Sequence, residues 1–361
     1  MNNFKKIGLT ALAGSLVSLG ATAGELSVSG SVNTTLKFGK GGDNTSRSLG
    51  ADRDFTVSGG GELDNGTTFS MSTTTNDTLG LSASTTTIST PSFGTFMLGS
   101  GTGGLSGAYD EEVPTAYEQV SDGKNTTSNA VGNFMDENHV SYTSPTLDLM
   151  GASITAHLEY SPQASDGKVG DGGQVTYDAT VGAGKGAGVT IAYEGLKLGF
   201  YGAERDRTVP QTAGATGMYE HDEFNGVWYA KYTMGPVSIG YSETYADAGI
   251  TADDSSSVNS AITRRSGGGI YTSESMSIAF NVNDNMSISY TTADETYDTQ
   301  DDAKTAVTTD DDVTETIDAI QIAYSMGGMS IKAYNMEVSN PDQDDDAADQ
   351  SITEIALGFA F

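Results

Sequence analysis

The residues able to do chemistry in this 361-residue chain are few, and their spacing argues against catalysis. No cysteine is present, which removes disulfides, thiol nucleophiles and thiolate metal sites together. His139, His157 and His221 are scattered without metal-ligand spacing, and there is no G-x-S-x-G elbow. Gly99-Ser100-Gly101-Thr102-Gly103-Gly104 satisfies the G-x-G-x-x-G dinucleotide pattern, but Gly107 and Pro114 interrupt the helix that has to follow and no βαβ unit surrounds it. Gly184-Lys185-Gly186 lacks the spacing and the hydroxyl of a phosphate loop. No enzyme reading survives.

Carboxylates are what remain: 48 acidic side chains against 17 basic ones, a formal charge of −31. Such a balance repels phosphate backbones, so nucleic-acid binding is excluded. The acids cluster in polar connections. Residues 101–137 hold Asp110, Glu111, Glu112, Glu118, Asp122, Asp136 and Glu137 against Lys124. Residues 339–350 hold Asp342, Asp344, Asp345, Asp346 and Asp349 without a base, and residues 298–313 hold six aspartates against Lys304. Clusters of this kind concentrate cations and deplete anions within a Debye length, roughly 8 Å at physiological salt. Their oxygens also suit weak binding of Ca²⁺ or Mg²⁺, but none has the EF-hand spacing, so solvated repulsion is the preferred reading and no cofactor or dedicated metal site is expected.

The elements that position these charges follow from the pattern of the chain. Lys5 and Lys6, the mostly apolar stretch 7–18 and Ala21-Thr22-Ala23 read as a signal peptide over residues 1–23, cleaved after Ala23. Beyond it no run of eighteen apolar residues occurs, so no transmembrane helix is available. Period two takes its place. Leu26, Val28, Val32, Leu36 and Phe38 share one parity, against Ser27, Ser29, Ser31, Asn33, Thr35 and Lys37 on the other. This alternation runs for about thirteen residues, longer than an ordinary strand and sufficient for a tilted crossing of a bilayer.

Short and long connections alternate along the rest. Tight turns are expected at Asp64-Asn65-Gly66, at Pro91 to Gly94, at Thr146 to Leu149, at Gly195, at Gly235-Pro236, at Asn283 to Asn285 and at Gly327-Gly328. Long polar connections lie between them, with Asn76-Asp77 the short exception. The segments number about sixteen, so residues 24–361 are expected to form one transmembrane antiparallel β-barrel with all long loops on one side. In the Gly-rich stretch 175–188 the reading is an extension above the membrane, leading into a strand over Val189 to Glu194.

The last strand is the sharpest signal. Ile355, Leu357, Phe359 and Phe361 alternate with Glu354, Ala356, Gly358 and Ala360, and the chain stops on phenylalanine. Phe93-Gly94-Thr95-Phe96-Met97-Leu98-Gly99 and Asn138-His139-Val140-Ser141-Tyr142-Thr143-Ser144-Pro145 complete the pattern. In these stretches the chain resembles the Gram-negative general-diffusion porins, particularly the sixteen-stranded alphaproteobacterial type. Ser100 stands where such families often carry arginine.

The resemblance implies an outer-membrane location and a water-filled channel for passive diffusion of small hydrophilic solutes and ions. It implies a homotrimer, a terminal Phe359 and Phe361 read by the outer-membrane assembly machinery, and contact with outer-membrane lipid and lipopolysaccharide. It also implies that the loop after the fifth strand, residues 101–137, folds inward as a constriction with carboxylates facing a basic wall. Asp110, Glu111, Glu112 and Glu118 are the expected acidic side. Lys37 and Lys231, of inward parity, and Arg53, at a strand's outer end, are the expected basic side. The acidic external loops add a modest cation preference. A substrate-specific outer-membrane channel fits the same pattern, differing only in how lining residues bind one solute. A secreted Gly/Asp-rich β-solenoid adhesin is the non-channel alternative, but no internal period supports it.

Overall fold

The structure, a computed structural model, describes residues 25–41, 46–102, 104–120, 131–135, 138–162, 164, 181–207, 218–247, 249–252, 270–298 and 312–361. The signal peptide, Asp122, Lys124, Asp136, Glu137 and most of the 298–313 loop therefore lie outside the described residues. In the first half the strands are β1 (Glu25–Lys40), β2 (Arg47–Glu62), β3 (Thr68–Thr75), β4 (Leu81–Thr90), β5 (Gly94–Ser100), β6 (His139–Thr143), β7 (Leu147–Leu149), β8 (Ala152–Ser161) and β9 (Val181–Tyr193). The second half adds β10 (Leu196–Arg207), β11 (Met218–Glu220), β12 (Glu223–Met234), β13 (Val237–Asp247), β14 (Ile250–Ala252), β15 (Ile270–Asn283), β16 (Met286–Asp298), β17 (Val313–Met326), β18 (Met329–Ser339) and β19 (Gln350–Ala360).

Neighbouring wall strands pair antiparallel, and β19 returns to β1 in register from Ser31 opposite Ala360 to Lys40 opposite Ser351, which closes the sheet. Closure leaves no free edge along the seam, and two backbone hydrogen bonds between Gly30 and Phe361 finish it at 2.8 and 3.0 Å. β6 and β7 are two pieces of one wall strand, since both pair with β8. Pro145 has no N–H to give the ladder, and Ser144 bridges the gap by taking the Ala156 N–H on its hydroxyl at 2.9 Å. Counted this way the barrel has sixteen strands. The β11–β14 pair forms a separate two-stranded sheet beyond the long-loop ends of β12 and β13. A closed barrel overturns the solenoid alternative.

Faces are inverted relative to a water-soluble protein. Ile320 is 65% exposed while the adjacent Gln321 is 1% exposed. The same swap repeats along β16, where Ser287, Ser289, Thr291 and Glu295 are buried inside and Ile288 and Tyr290 are exposed outside. Hydrocarbon outside a barrel accepts apolar side chains that would be costly to expose to water, so alternation is preserved with its sense reversed. Among the described residues no helix is long and apolar enough to cross a membrane. Toward the long-loop ends the outer face turns polar: Asp318 there accepts from the Tyr290 hydroxyl at 2.7 Å, and Asp294 from Thr316 at 2.6 Å.

Two local expectations are corrected. The turn placed at Thr146 to Leu149 falls at Met150-Gly151, where both residues have positive φ (52° and 88°), and 147–149 is strand. Residues 181–188 are wall rather than an extension above it, because β9 begins at Val181 and pairs with both β8 and β10. Glycine is required there by close approach, not by a turn. A Cβ on Gly188 would sit 2.6 Å from the Tyr109 ring, and one on Gly186 2.5 Å from the Tyr201 hydroxyl.

Candidate functional site: the barrel interior and its inward segment

After β5 the chain enters the barrel instead of standing outside it. Residues 105–120 follow the inner wall strand by strand, and each contact pairs a loop group with an inward side chain. The Leu105 N–H is hydrogen-bonded to the Glu159 carboxylate on β8. The Tyr109 hydroxyl lies 2.5 Å from His157 Nδ1, and its ring stacks on Tyr201 of β10 at 5.1 Å and approaches Tyr229 of β12 at 6.2 Å. Val113 and Pro114 cover Gly240 of β13, and the Pro114 carbonyl accepts from Ser277 of β15. Next, the Ala116 N–H reaches Ser289 of β16 at 2.8 Å.

The segment then meets β17. Gln321 Oε1 accepts from the Tyr117 and Glu118 N–H groups at 2.8 and 3.2 Å, and its Nε2 donates to the Glu118 carbonyl at 2.8 Å. One carboxamide thus satisfies three backbone groups that the segment, irregular at this point, does not satisfy itself. Finally the Tyr117 hydroxyl donates to Glu354 of β19 at 2.7 Å and lies beside Asn33 of β1. Burial pushes the phenols of Tyr109 and Tyr117 well above the ordinary tyrosine range, Tyr117 further by its bond to Glu354, so both stay protonated.

The acidic side chains expected at the site occupy distinct places. Glu112 is ion-paired with Lys231 of β12 and, at 3.6 Å, with Lys197 of β10, two lysines that stand opposite each other in the register. Glu111, with φ at 41°, turns its carboxylate back to accept the Val120 N–H at 3.1 Å and is only 7% exposed. The Asp110 carbonyl accepts from Gln119 at 2.9 Å. Glu118 is held at its backbone by Gln321, and its carboxylate acts on Lys332 of β18, whose ammonium lies 5.0 Å over the Tyr117 ring.

On the basic side Lys37 faces inward and pairs with Glu354 at 3.1 Å. Lys231 is inward and meets Glu112, as described. Arg53 is not brought together with them: it stands opposite Val32, on the outer face of β2. Lys197, Lys332, Gln321 and Glu354 were not anticipated, although parity carries the signal. Lys197 sits between Leu196 and Leu198, and Lys332 between Ile331 and Ala333, the positions that an inward polar residue occupies. Phe359 and Phe361 point outward, and Phe361 packs edge-on against Phe55 at 6.4 Å.

At the long-loop end, residues 340–349 fold back over the inner wall. Asn340 donates to the Thr314 carbonyl at 2.9 Å, Gln343 to Glu295 at 2.8 Å, and the Asp342 N–H meets Glu315. This holds Asp344, Asp345, Asp346 and Asp349 around the mouth. Among the described residues no group of three His, Asp or Glu side chains converges as a metal centre.

A closed sixteen-strand wall, apolar outside and hydroxyl-, amide- and carboxylate-lined inside, defines a transmembrane channel protein of outer-membrane type. The chain belongs to the Gram-negative porin family, whose model matches residues 8–220, more than half its length. Among curated proteins no sequence matches it. Its fold is similar to that of OmpF from Salmonella typhi solved with daunomycin, at 11% identity, TM-score 0.65, covering 94% of this chain and 98% of that one. It is also similar to the trimer form of OmpT from Vibrio cholerae (14% identity, TM-score 0.64, 94% of this chain and 100% of that one). A third likeness is to an anion-selective porin from Comamonas acidovorans (13% identity, TM-score 0.61, 94% of this chain and 100% of that one). The protein is accordingly an outer-membrane channel for passive diffusion in a Gram-negative bacterium.

Proposed function

We propose that this chain is a general-diffusion pore, of the sixteen-stranded alphaproteobacterial type, with modest preference for cations. The observation that supports this reading is the course of residues 105–120, whose described contacts follow the inner wall from β8 to β19. A barrel this wide leaves the remaining space to water, so small hydrophilic solutes pass down their gradients with no energy source or moving part. Residues 101–137 act as the constriction, with Asp110, Glu111, Glu112 and Glu118 its acidic contribution. Aspartates at the mouth support the cation preference by raising local cation concentration.

The signal peptide over 1–23 exports the chain, and Phe359 with Phe361 serves as the signal for the assembly machinery. Assembly as a homotrimer is supported by the trimer form in which the Vibrio cholerae protein was solved, and the outer-membrane location brings the barrel into contact with lipid and lipopolysaccharide. Divalent cations bind at most weakly, at the acidic external loops. The reading is tested by reconstituting the mature protein in liposomes and planar bilayers. Uptake of neutral sugars should rise linearly with concentration and fall with solute size, and a KCl gradient should give a zero-current potential of cation-selective sign. Saturation of flux at low concentration of one solute would replace the general pore by a substrate-specific channel.

A further inference from the structure

We propose that ion selection in this conduit is set by Asp52 and Asp54 on the inner face of β2, and that the carboxylates of the inward segment, residues 105–120, contribute little to it. The inference rests on the channel reading above and deepens its cation preference by naming the charges responsible. In the β1–β2 register Asp52 stands opposite Asn33 and Asp54 opposite Ser31. Asn33 and Ser31 share the parity of Lys37, whose ammonium is bonded to the buried, inward Glu354, so both aspartates face the bore. Asn33 also lies beside the Tyr117 hydroxyl, which sets Asp52 level with the far end of the inward segment.

The distribution of counter-charge separates the two sets of acids. Glu112 is shared by Lys231 and Lys197, Glu118 faces Lys332, Glu354 holds Lys37, and Glu111 is turned into the segment's own backbone. A paired or buried carboxylate presents little net field to a passing ion. Asp52 and Asp54 differ: among the described residues neither is ion-paired, and the charges acting on Asp54 are Asp52 and Asp77, both negative. Described contacts of the inward segment run from β8 to β19 and reach Asn33 of β1, so the wall it leaves open is that of β2 to β5. On the inner faces of β2 to β5 stand hydroxyls such as Thr56, Ser72, Thr74, Thr85 and Thr87, with no lysine or arginine.

This is the reverse of the basic wall that the family resemblance implies. Two unpaired carboxylates among hydroxyl oxygens stabilise a hydrated monovalent cation or an ammonium-bearing solute and repel anions. At separations of several ångströms in water-filled, salt-screened space, the loss of both charges should lower the cation-over-anion permeability ratio about threefold.

The test measures zero-current potentials across a KCl gradient for the mature wild-type protein, D52N, D54N, the double variant D52N/D54N, and D318N, which removes an equal charge from the outer face. The expected result is a cation-selective wild type, a ratio about threefold lower in the double variant, intermediate singles, and D318N unchanged. A cation-selective wild type with full selectivity retained in D52N/D54N overturns this inference alone. An unselective or anion-selective wild type overturns the cation preference itself. Heat-modifiable electrophoretic migration confirms that each barrel is closed, and the single variants decide the question if the double one fails to fold.

Discussion

Replacing Gln321 by leucine tests whether the inward segment is held by the contacts described. Leucine keeps the volume and burial of the side chain but neither donates nor accepts. The variant therefore loses the bonds to the Tyr117 N–H, the Glu118 N–H and the Glu118 carbonyl at once. The Tyr117 bond is buried, so its N–H has no ready access to water; an unsatisfied buried group of this kind costs about 1–3 kcal/mol. The two Glu118 bonds are partly buried and partly recoverable by water, so the loss is about 2–3 kcal/mol in total rather than three full penalties. That corresponds to an increase of roughly 30- to 150-fold in the population in which the far end of the segment has left the wall. Single-channel recording reads this directly, because a detached end changes the bore: brief closures and intermediate conductance levels should become more frequent by that factor. A folded Q321L barrel whose traces are as quiet as wild type, at the same conductance, would show that β17 does not hold the segment.

Other consequences are as specific. A Cβ at Gly240 would lie 2.4 Å from Pro114 Cδ and 3.2 Å from Val113 Cα, so Gly240→Ala must push the segment off β13 by several tenths of an ångström or more. We expect a measurable drop in single-channel conductance with the barrel still folded, and unchanged conductance would refute that contact. Deleting Phe361 removes the last rung of the β1–β19 closure and the ring that packs against Phe55 and Gly30. The yield of heat-modifiable protein in the outer membrane should fall several-fold, while refolding in detergent is affected less; equal yields in cells would remove Phe361 from any role in assembly.

How far the amino-acid sequence reaches is clearest from single residues. Parity placed Lys37 and Lys231 inside and Ile355, Leu357 and Phe359 outside, because a wall strand separates two solvents and each side chain must choose one. Tight turns were legible where Asn-Gly, Gly-Pro or Gly-Gly pairs demanded them, and strand number followed from their alternation with long loops. Parity along β2 likewise gives Arg53 the outer face and Asp52 and Asp54 the inner one, but only once the register with β1 is known. The Gly-rich start of β9 was misread for a related reason: its glycines answer Tyr109 and Tyr201, residues that are distant in the chain and neighbours only in the closed barrel.

The sequence by itself therefore determined the class of fold, the alternation of surroundings and the excess of carboxylates, all of which depend on local periodicity and composition. Which carboxylates are neutralised was decided by tertiary structure alone. Glu112 meets Lys197 and Lys231 across more than eighty residues of chain, and Gln321 meets Tyr117 across more than two hundred. Charge pairing and backbone satisfaction depend on distance through space, and only closure of the barrel around its own loop fixes those distances.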